Sequence, residues 1–387
     1  MWQGIKASLM RLEEFMENKA FQLFREKEMN PCLSQILQEA EVIFQSFKAD
    51  FRIQFIREFS LVCEKQKENI QKMTPGYIMC HLLRTDLIRG KYRCPLFLYD
   101  KNWYYHKGMK VGELQVGELF HLYGTLWDKL RQLSKRYVGH VTMPEVDEAM
   151  QDMVTPFYLY LKELILYAVG EATDTDAYLN MEKEDNFQIR IGEYVEPGDL
   201  VYREQPKKDA EEIRRQLEEA TEEAYLFEDF KGLDLSHLML SGRDFRYSDF
   251  RKGRLEKSNF NLSLLIGSCF RNSNMAEATF VGSMFHNADF TNADLQHADF
   301  SCGVSYHGKS QADAWRTPGY TGASFRNSNL SGASFLGGVY MGSDFRGARL
   351  TGCNFTDAVL YESIFTEKQA LEANLSSGQL EQIHLAV

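Results

Sequence analysis

Large apolar residues recur every five positions through the second part of the chain. The step runs from Phe230 to Phe300, returns in the same register at Phe325 and continues to Leu385. A small residue stands two positions before most of them, and Asp or Asn often stands directly before them. A period of five fits neither an α-helix nor a flat strand. It predicts a chain that turns a corner every five residues, so that four pentads close one coil. The large residues then stack inward on those twenty positions away, and one such column would contain Phe300, Tyr320 and Tyr340.

The segment "NADFTNADLQHADF" at 287–300 follows the pattern without a gap. It resembles the pentapeptide-repeat family, whose motif is Ala-(Asp/Asn)-Leu-x-x, and the resemblance covers residues 228–385. It implies that 228–387 form a right-handed quadrilateral β-helix, a fold that serves binding rather than catalysis. At the spacing of paired strands, about eight coils would make a rod roughly 38 Å long.

The first part of the chain has a different pattern, and the fold class is therefore α+β. Residues 1–170 predict a mainly helical domain with small β-hairpins, the first hairpin at 92–106. Asn30 and Pro31 have the residue types of a helix N-cap followed by N1, which predicts that a helix begins there and extends to about Met73. The other predicted helices cover 5–27, 76–89, 112–137 and 145–170. An acidic loop and β-hairpin at 171–206 would link this domain to the repeat. An amphipathic helix at 207–227 would cover the first coil of the repeat.

Composition narrows the function classes. The net charge of −11 argues against nonspecific attraction to nucleic acid or to an anionic membrane. The seven cysteines are scattered and contain no C-x-x-C pair, which is typical of free thiols in a reducing compartment. We therefore expect a cytoplasmic protein without a secretory signal.

One segment satisfies the phosphate-binding loop pattern G-x-x-x-x-G-K-[ST], from Gly303 to Ser310. The pattern lacks its context, because a coil residue precedes it, Pro318 follows shortly and the repeat then resumes. We interpret 301–321 as a loop that interrupts the repeat, or as one distorted coil. Loops of this kind often carry recognition, and the candidate contact residues here are Tyr306, Lys309, Trp315 and Arg316.

No catalytic, metal-binding or cofactor-binding residues are predicted. Glu118 and His121 have the spacing of half a carboxylate-bridged metal site in a helical bundle, but no second copy follows. Trp103, beside the first hairpin turn, is either an interface anchor or part of the core.

A basic column is predicted on one side of the rod. Lys231, Arg251 and Arg271 are twenty positions apart, each directly after a large residue, and Arg246 lies nearby. Like charges about 4.8 Å apart repel, so an acidic group should face them. The candidates are the glutamate-rich helix at 211–223, a partner protein or a nucleic acid.

These observations favour a non-enzymatic interaction protein, a scaffold or adaptor. The resemblance implies two contexts: a link to bacterial secretion or effector systems, and mimicry of DNA that regulates type II topoisomerases. Mimicry needs an acidic rod, whereas residues 226–387 hold seventeen acidic against fourteen basic residues. An enzyme in the helical half is a further alternative.

The C-terminal end of the repeat leaves two alternatives open. Leu375, Leu380 and Leu385 would be exposed at an uncapped end, where they predict a homodimer interface. Alternatively, "TEKQALEA" from Thr366 forms a short helical cap.

Overall fold

The computed structural model describes residues 19–67, 73–194, 196–204, 209–219, 224–306 and 319–386. The helices and strands of the first part are α1 (Lys19–Phe24), α2 (Asn30–Lys67), β1 (Tyr77–Leu82), α3 (Arg84–Ile88), β2 (Arg93–Tyr99), β3 (Met109–Gln115), α4 (Gly117–Ser134), α5 (Met143–Asp152), α6 (Thr155–Ala172), α7 (Asp176–Leu179), β4 (Gln188–Glu193) and β5 (Asp199–Arg203). Short 3₁₀ turns occur at Trp103–Tyr105 and Lys135–Tyr137.

The first described helix is continuous where the sequence predicted a break. Asn30 has helical φ and ψ of −62° and −45°, so the predicted N-cap at this residue is wrong. A π-helical stretch, Arg25–Met29, joins α1 to α2. Pro31 lacks the N–H that would bond one turn back, and a wider π turn before it accommodates the missing bond.

The strands of the first part form one sheet with the order β3-β2-β1-β4-β5. Strand β1 replaces most of the helix predicted at 76–89, because it lies at the centre of the sheet, antiparallel to β2 and parallel to β4. The segment 171–206 is not a separate linker, since its hairpin β4–β5 completes this sheet. The helix predicted at 112–137 begins only at Gly117, after β3, and the one predicted at 145–170 is the two helices α5 and α6.

Helices α2 and α6 pack together over one face of the sheet. The rings of Phe44 and Tyr160 lie 5.3 Å apart, and the Tyr160 hydroxyl donates to Glu41 Oε2 at 2.9 Å. Phe51, Phe55 and Phe59 form a fully buried row along α2. The first part is therefore a helix-covered sheet with its own core.

The repeat forms a coil in which each pentad pairs, in parallel, with the pentad one coil later. From Asp229↔Asp249 to Met284↔Val304, the bridged residues are 20 apart. The large residues are buried, and Phe270 stacks on Phe250 and Phe290 at 4.8 and 4.9 Å. The predicted inward stacking is confirmed.

The interruption inserts residues into the coil. Across it, the bridged residues are 35 apart instead of 20, as in Asp289↔Ser324, so 15 residues are inserted. After it, the spacing returns to 20, as in Ser324↔Asp344. Phe300 therefore stacks on Phe335, at 5.3 Å, and the predicted column through Tyr320 and Tyr340 is wrong. The short strands β6 (Val304–Ser305) and β7 (Val339–Tyr340) pair across the insertion.

Helix α8 (Ala210–Glu218) covers the first coil. Ile213 and Leu217 are buried in the same core as Tyr225. The buried Arg243 donates from Nη2 to the Leu217 carbonyl at 2.7 Å, which fixes the end of the helix to the coil.

The coil ends at Thr366, although the five-residue step in the sequence continues to Leu385. Strand β8 (Ile364–Thr366) leads into α9 (Glu367–Glu372) and α10 (Ser377–Leu380), and β9 (His384–Ala386) returns to pair with β8. Leu380 and Leu385 are 43% and 52% exposed, whereas Leu375 is buried in the core of the coil. Leu385 pairs with the inward Phe365, 20 positions earlier, at the end of the stack. The alternative prediction, a cap made by the chain itself, describes this end.

Two glutamines attach this cap to the last coil. Gln369 Nε2 donates to the carbonyls of Phe345 and Ala348 at 2.6 and 2.8 Å. Gln379 Nε2 donates likewise to Phe355 and Ala358 at 2.7 and 3.0 Å. Each glutamine also closes a capping box with the residue three positions before it. Within the coil, some inward serines, such as Ser263 and Ser268, donate to carbonyls of the previous coil, so the glutamines replace bonds that a further coil would make.

Candidate interaction surfaces

The predicted basic column faces carboxylates of the same chain. Asp174 lies 3.4 Å from Lys231 Nζ and 2.5 Å from Arg251 Nη1, and Glu171 lies 3.6 Å from Arg271 Nη1. Both acids stand at the C-terminal end of α6, not on the helix predicted at 211–223. The column is thus a contact between the helix-covered sheet and the coil.

A second contact lies beside the column. The Glu163 carboxylate of α6 is buried and accepts a bond from Asn287 Nδ2 at 2.9 Å. Burial raises the pKa of Glu163 to about 7, and burial lowers the pKa of the nearby Lys48 to about 8. A cavity of about 70 Å³ lies between the two parts, and its lining is Lys48, Glu163, Leu166, Tyr167, Tyr247, Gly267, Asn287 and Gly319. The ionisable pair is therefore held within the contact.

Arg246 is neutralised within its own coil. Its Nε and Nη2 donate to the two carboxylate oxygens of Asp244 at 2.9 and 2.7 Å. The same arrangement joins Arg251 to Asp249 and Arg346 to Asp344. In each case Asp-Phe-Arg places acid and base on the same outward side, two residues apart. This triplet is visible in the sequence and would have identified the pairs.

Of the candidates in the interrupting loop, only Tyr306 lies within the described residues; Lys309, Trp315 and Arg316 do not. The Tyr306 backbone N–H donates to His286 Nδ1 at 3.0 Å, and the two rings lie 3.9 Å apart. Gly303 to Ser305, the start of the phosphate-loop pattern, belong to the coil.

The first hairpin places Trp103 partly in the core. Its ring lies 4.1 Å from that of Tyr77, and the Arg190 guanidinium lies 5.2 Å from its centre. The adjacent Tyr105 is 94% exposed. His121 is bonded to backbone carbonyls of α4, at Gly117 and Glu118.

Comparison with known proteins identifies the coil. Residues 263–301 and 341–367 match the family model for pentapeptide repeats in eight copies, on both sides of the interrupting loop. The coil is a pentapeptide-repeat domain. No curated protein sequence matches the chain significantly. Among the helices that the structure describes, none is long and apolar enough to cross a membrane.

Solved structures match about two fifths of this chain. A trypsin-treated form of QnrB1, a plasmid-mediated fluoroquinolone resistance protein, is 20% identical and matches 42% of this chain and 78% of its own, with a TM-score of 0.29. HetL, involved in heterocyst differentiation regulation in the cyanobacterium Nostoc sp. strain PCC 7120, is 19% identical. It matches 41% of this chain and 98% of its own, with a TM-score of 0.13.

An apolar surface of the pentapeptide-repeat domain was missed in the sequence. Met239, Leu262 and Leu336 lie beside the inward residues of one column and are 66%, 71% and 41% exposed. We call this the apolar side. The five-residue pattern marks only inward positions, so outward leucines at its other positions gave no signal.

Proposed function

We propose that this chain is a non-enzymatic scaffold for protein–protein interactions in the cytoplasm. In this proposal the coil is a right-handed quadrilateral β-helix, one side is occupied by the helix-covered sheet, and the apolar side receives a partner. The exposure of Leu262 on a rigid surface is the observation that carries the proposal.

Leu262 has an unusual conformation for a branched side chain. Its φ is +59°, at the pentad position that Gly and Asn favour. A Cβ on Gly282, in the next coil, would lie 2.9 Å from Leu262 Cδ2. The glycine at this position therefore leaves room for the leucine side chain. The Leu262 side chain is 71% exposed and lies outside the core, which supports a role in binding. Exposed apolar residues on a rigid surface are candidate contacts of a partner.

The basic column supports the same division of the surface. Its charges pair with Asp174 and Glu171, so an external acidic partner is not needed to neutralise them. The side that faces the helix-covered sheet is closed, while the apolar side is open.

Mimicry of DNA is the weaker proposal. A DNA mimic requires rows of carboxylates that are free to replace phosphates. Asp244, Asp249 and Asp344 are instead each bound by an arginine two positions later. Partners from bacterial secretion and effector systems, a context that the resemblance implies, are the first class to search.

The proposal is tested by capture with the immobilised full chain from a lysate of its host, followed by quantitative mass spectrometry. Leu262→Asp places a charge on the apolar side, and Leu371→Asp is the matched control because Leu371 is 81% exposed on the C-terminal cap. We expect a protein retained by the wild type and by Leu371→Asp, but reduced about tenfold or more by Leu262→Asp, a loss of about 1.4 kcal/mol in binding. Equal retention by all three chains contradicts the proposal.

A further inference from the structure

The loop between β2 and β3 is fixed from within. The Trp103 N–H donates to the Asp100 carbonyl at 3.0 Å, and the Asn102 N–H donates to Asp100 Oδ1 at 2.8 Å. His106 Nδ1 lies 2.5 Å from Asp100 Oδ2, which closes the loop across its base. Asp100 therefore organises both sides of the turn.

Packing holds the same loop against the sheet. The Trp103 ring packs against the Tyr77 ring at a tilt of 45°, and the Tyr104 hydroxyl donates to the Glu196 carbonyl at 2.8 Å. A Cβ on Gly108 would overlap the Tyr99 ring, so this position must remain small. Trp103 has a φ of +55°, which is strained for a bulky residue and persists only where its surroundings fix it. The loop is thus preorganised.

The preorganised loop presents one fully exposed aromatic ring between two lysines. Tyr105, at 94% exposed, projects from the tip. Lys101 and Lys107 are exposed in the same loop, and the side chain of neither forms a hydrogen bond or ion pair with another residue that the structure describes. The only acid of the loop, Asp100, is engaged by His106.

The charge of this region is opposite to that of the chain. Residues 89–110 contain six basic residues and one acidic residue, within a chain of net charge −11. At the tip, Lys101 and Lys107 form no ion pair with a carboxylate within the described part of the chain. An acidic group of a partner molecule would pair with these two lysines.

We propose that this tip, Lys101, Tyr105 and Lys107, is a docking site for an acidic segment of a partner protein. Tyrosine on a rigid loop loses little entropy on binding and is a frequent anchor of interfaces, and flanking lysines select acidic neighbours. Nucleic acid is disfavoured because a single exposed ring gives little stacking on bases. The inference rests on the proposed scaffold function and adds the chemistry of a partner.

The test uses the full chain and a displayed library of random twelve-residue peptides. We expect the selected peptides to be enriched in Asp and Glu. Their binding should fall about tenfold or more in Tyr105→Ala, and further in the double variant Lys101→Glu/Lys107→Glu, with a strong dependence on salt. Tyr361→Ala is the matched control, since Tyr361 is partly exposed on the coil and far from the loop in sequence.

A positioning variant separates the tip's chemistry from its placement. Gly108→Ala leaves Tyr105 intact but displaces the loop from Tyr99, and we expect it to weaken the same peptides while the helical circular dichroism is unchanged. Selected peptides without an acidic bias, or peptides that bind Tyr105→Ala and the double variant as well as the wild type, overturn the inference. Tighter binding of a single-stranded thymidine oligonucleotide than of the selected peptides also overturns it.

The outcomes are distinguishable from those of the proposed function. A captured partner that Leu262→Asp loses, together with selected peptides that bind Tyr105→Ala as well as the wild type, refutes the docking site at the tip and leaves the scaffold proposal standing. Acidic peptides that bind the tip, with no partner dependent on Leu262, support the tip and refute the apolar side.

Discussion

The C-terminal cap gives the sharpest prediction, because two side chains replace the hydrogen bonds of a missing coil. We consider Gln369→Leu, which keeps the apolar stem and removes the amide. Phe345 and Ala348 are buried, and their carbonyls would lose the bonds at 2.6 and 2.8 Å. Each buried carbonyl left unpaired costs about 1–3 kcal/mol, so the two together cost about 2–6 kcal/mol. Loss of the capping box with Thr366 adds about 1 kcal/mol.

The location of the loss is also predicted. Repeat proteins are stabilised between neighbouring coils, so the damage should remain near the end rather than spread through the rod. Urea unfolding followed by circular dichroism measures the loss in the free energy of unfolding. Hydrogen exchange of the backbone amides in 340–366 shows where in the coil the loss occurs. Lys368→Leu is the control, because this neighbour on the same helix is exposed and should change stability by less than about 0.5 kcal/mol. Equal effects of the two variants would refute the reasoning.

The cap also bears on self-association, which stays a prediction. With the coil end bonded to Gln369 and Gln379, we expect a monomeric mass in light scattering at micromolar concentration, unchanged by Leu380→Asp. A dimer that Leu380→Asp dissociates would instead support the interface predicted at Leu375, Leu380 and Leu385.

Four further predictions follow from the structure. Phe280→Ala should destabilise the coil by about 3–5 kcal/mol and Val281→Ser by less than about 0.5 kcal/mol in chemical denaturation, because only the first residue is inward; similar values would contradict the assignment. Since burial raises the pKa of Glu163 to about 7, the carboxyl stabilises the fold below its unfolded pKa and this contribution is lost as pH rises through 7. The stability of Glu163→Gln relative to the wild type should therefore rise between about pH 5 and 8, by about 1–3 kcal/mol, and a constant difference in urea titrations would exclude this. Arg251→Ala should enlarge the radius of gyration in X-ray scattering by loosening the two parts, while Arg254→Ala, at a more exposed side chain, should not. Purified chain should leave DNA gyrase supercoiling and its quinolone sensitivity unchanged near equimolar ratios, and clear inhibition would favour DNA mimicry.

The sequence by itself determined the coil, because the residue types within each pentad specify its local conformation. A large inward residue, a small residue two positions before it and a polar residue between them specify the same turn at every step. The stack of Phe250, Phe270 and Phe290 followed from counting twenty positions. The hairpin of β4 and β5 was visible for the same reason, since alternation and turn residues act over a few positions. The first hairpin was placed only in part, because its second strand is Met109–Gln115 and lies beyond the predicted 92–106.

Only the tertiary structure decided what depends on residues far apart in the chain. Strand β1 is a strand because β2 and β4 pair with it on both sides, although its own residues also suit a helix. The basic column is neutralised by Asp174, which precedes Arg251 by 77 positions. The inserted loop shifted Phe300 onto Phe335, since the bridged coils continue in register whatever length of chain lies between them. The repeat ends at Thr366 because Gln369 and Gln379 reach carbonyls of the last coil, and a five-residue step in the sequence does not record which backbone groups remain unpaired.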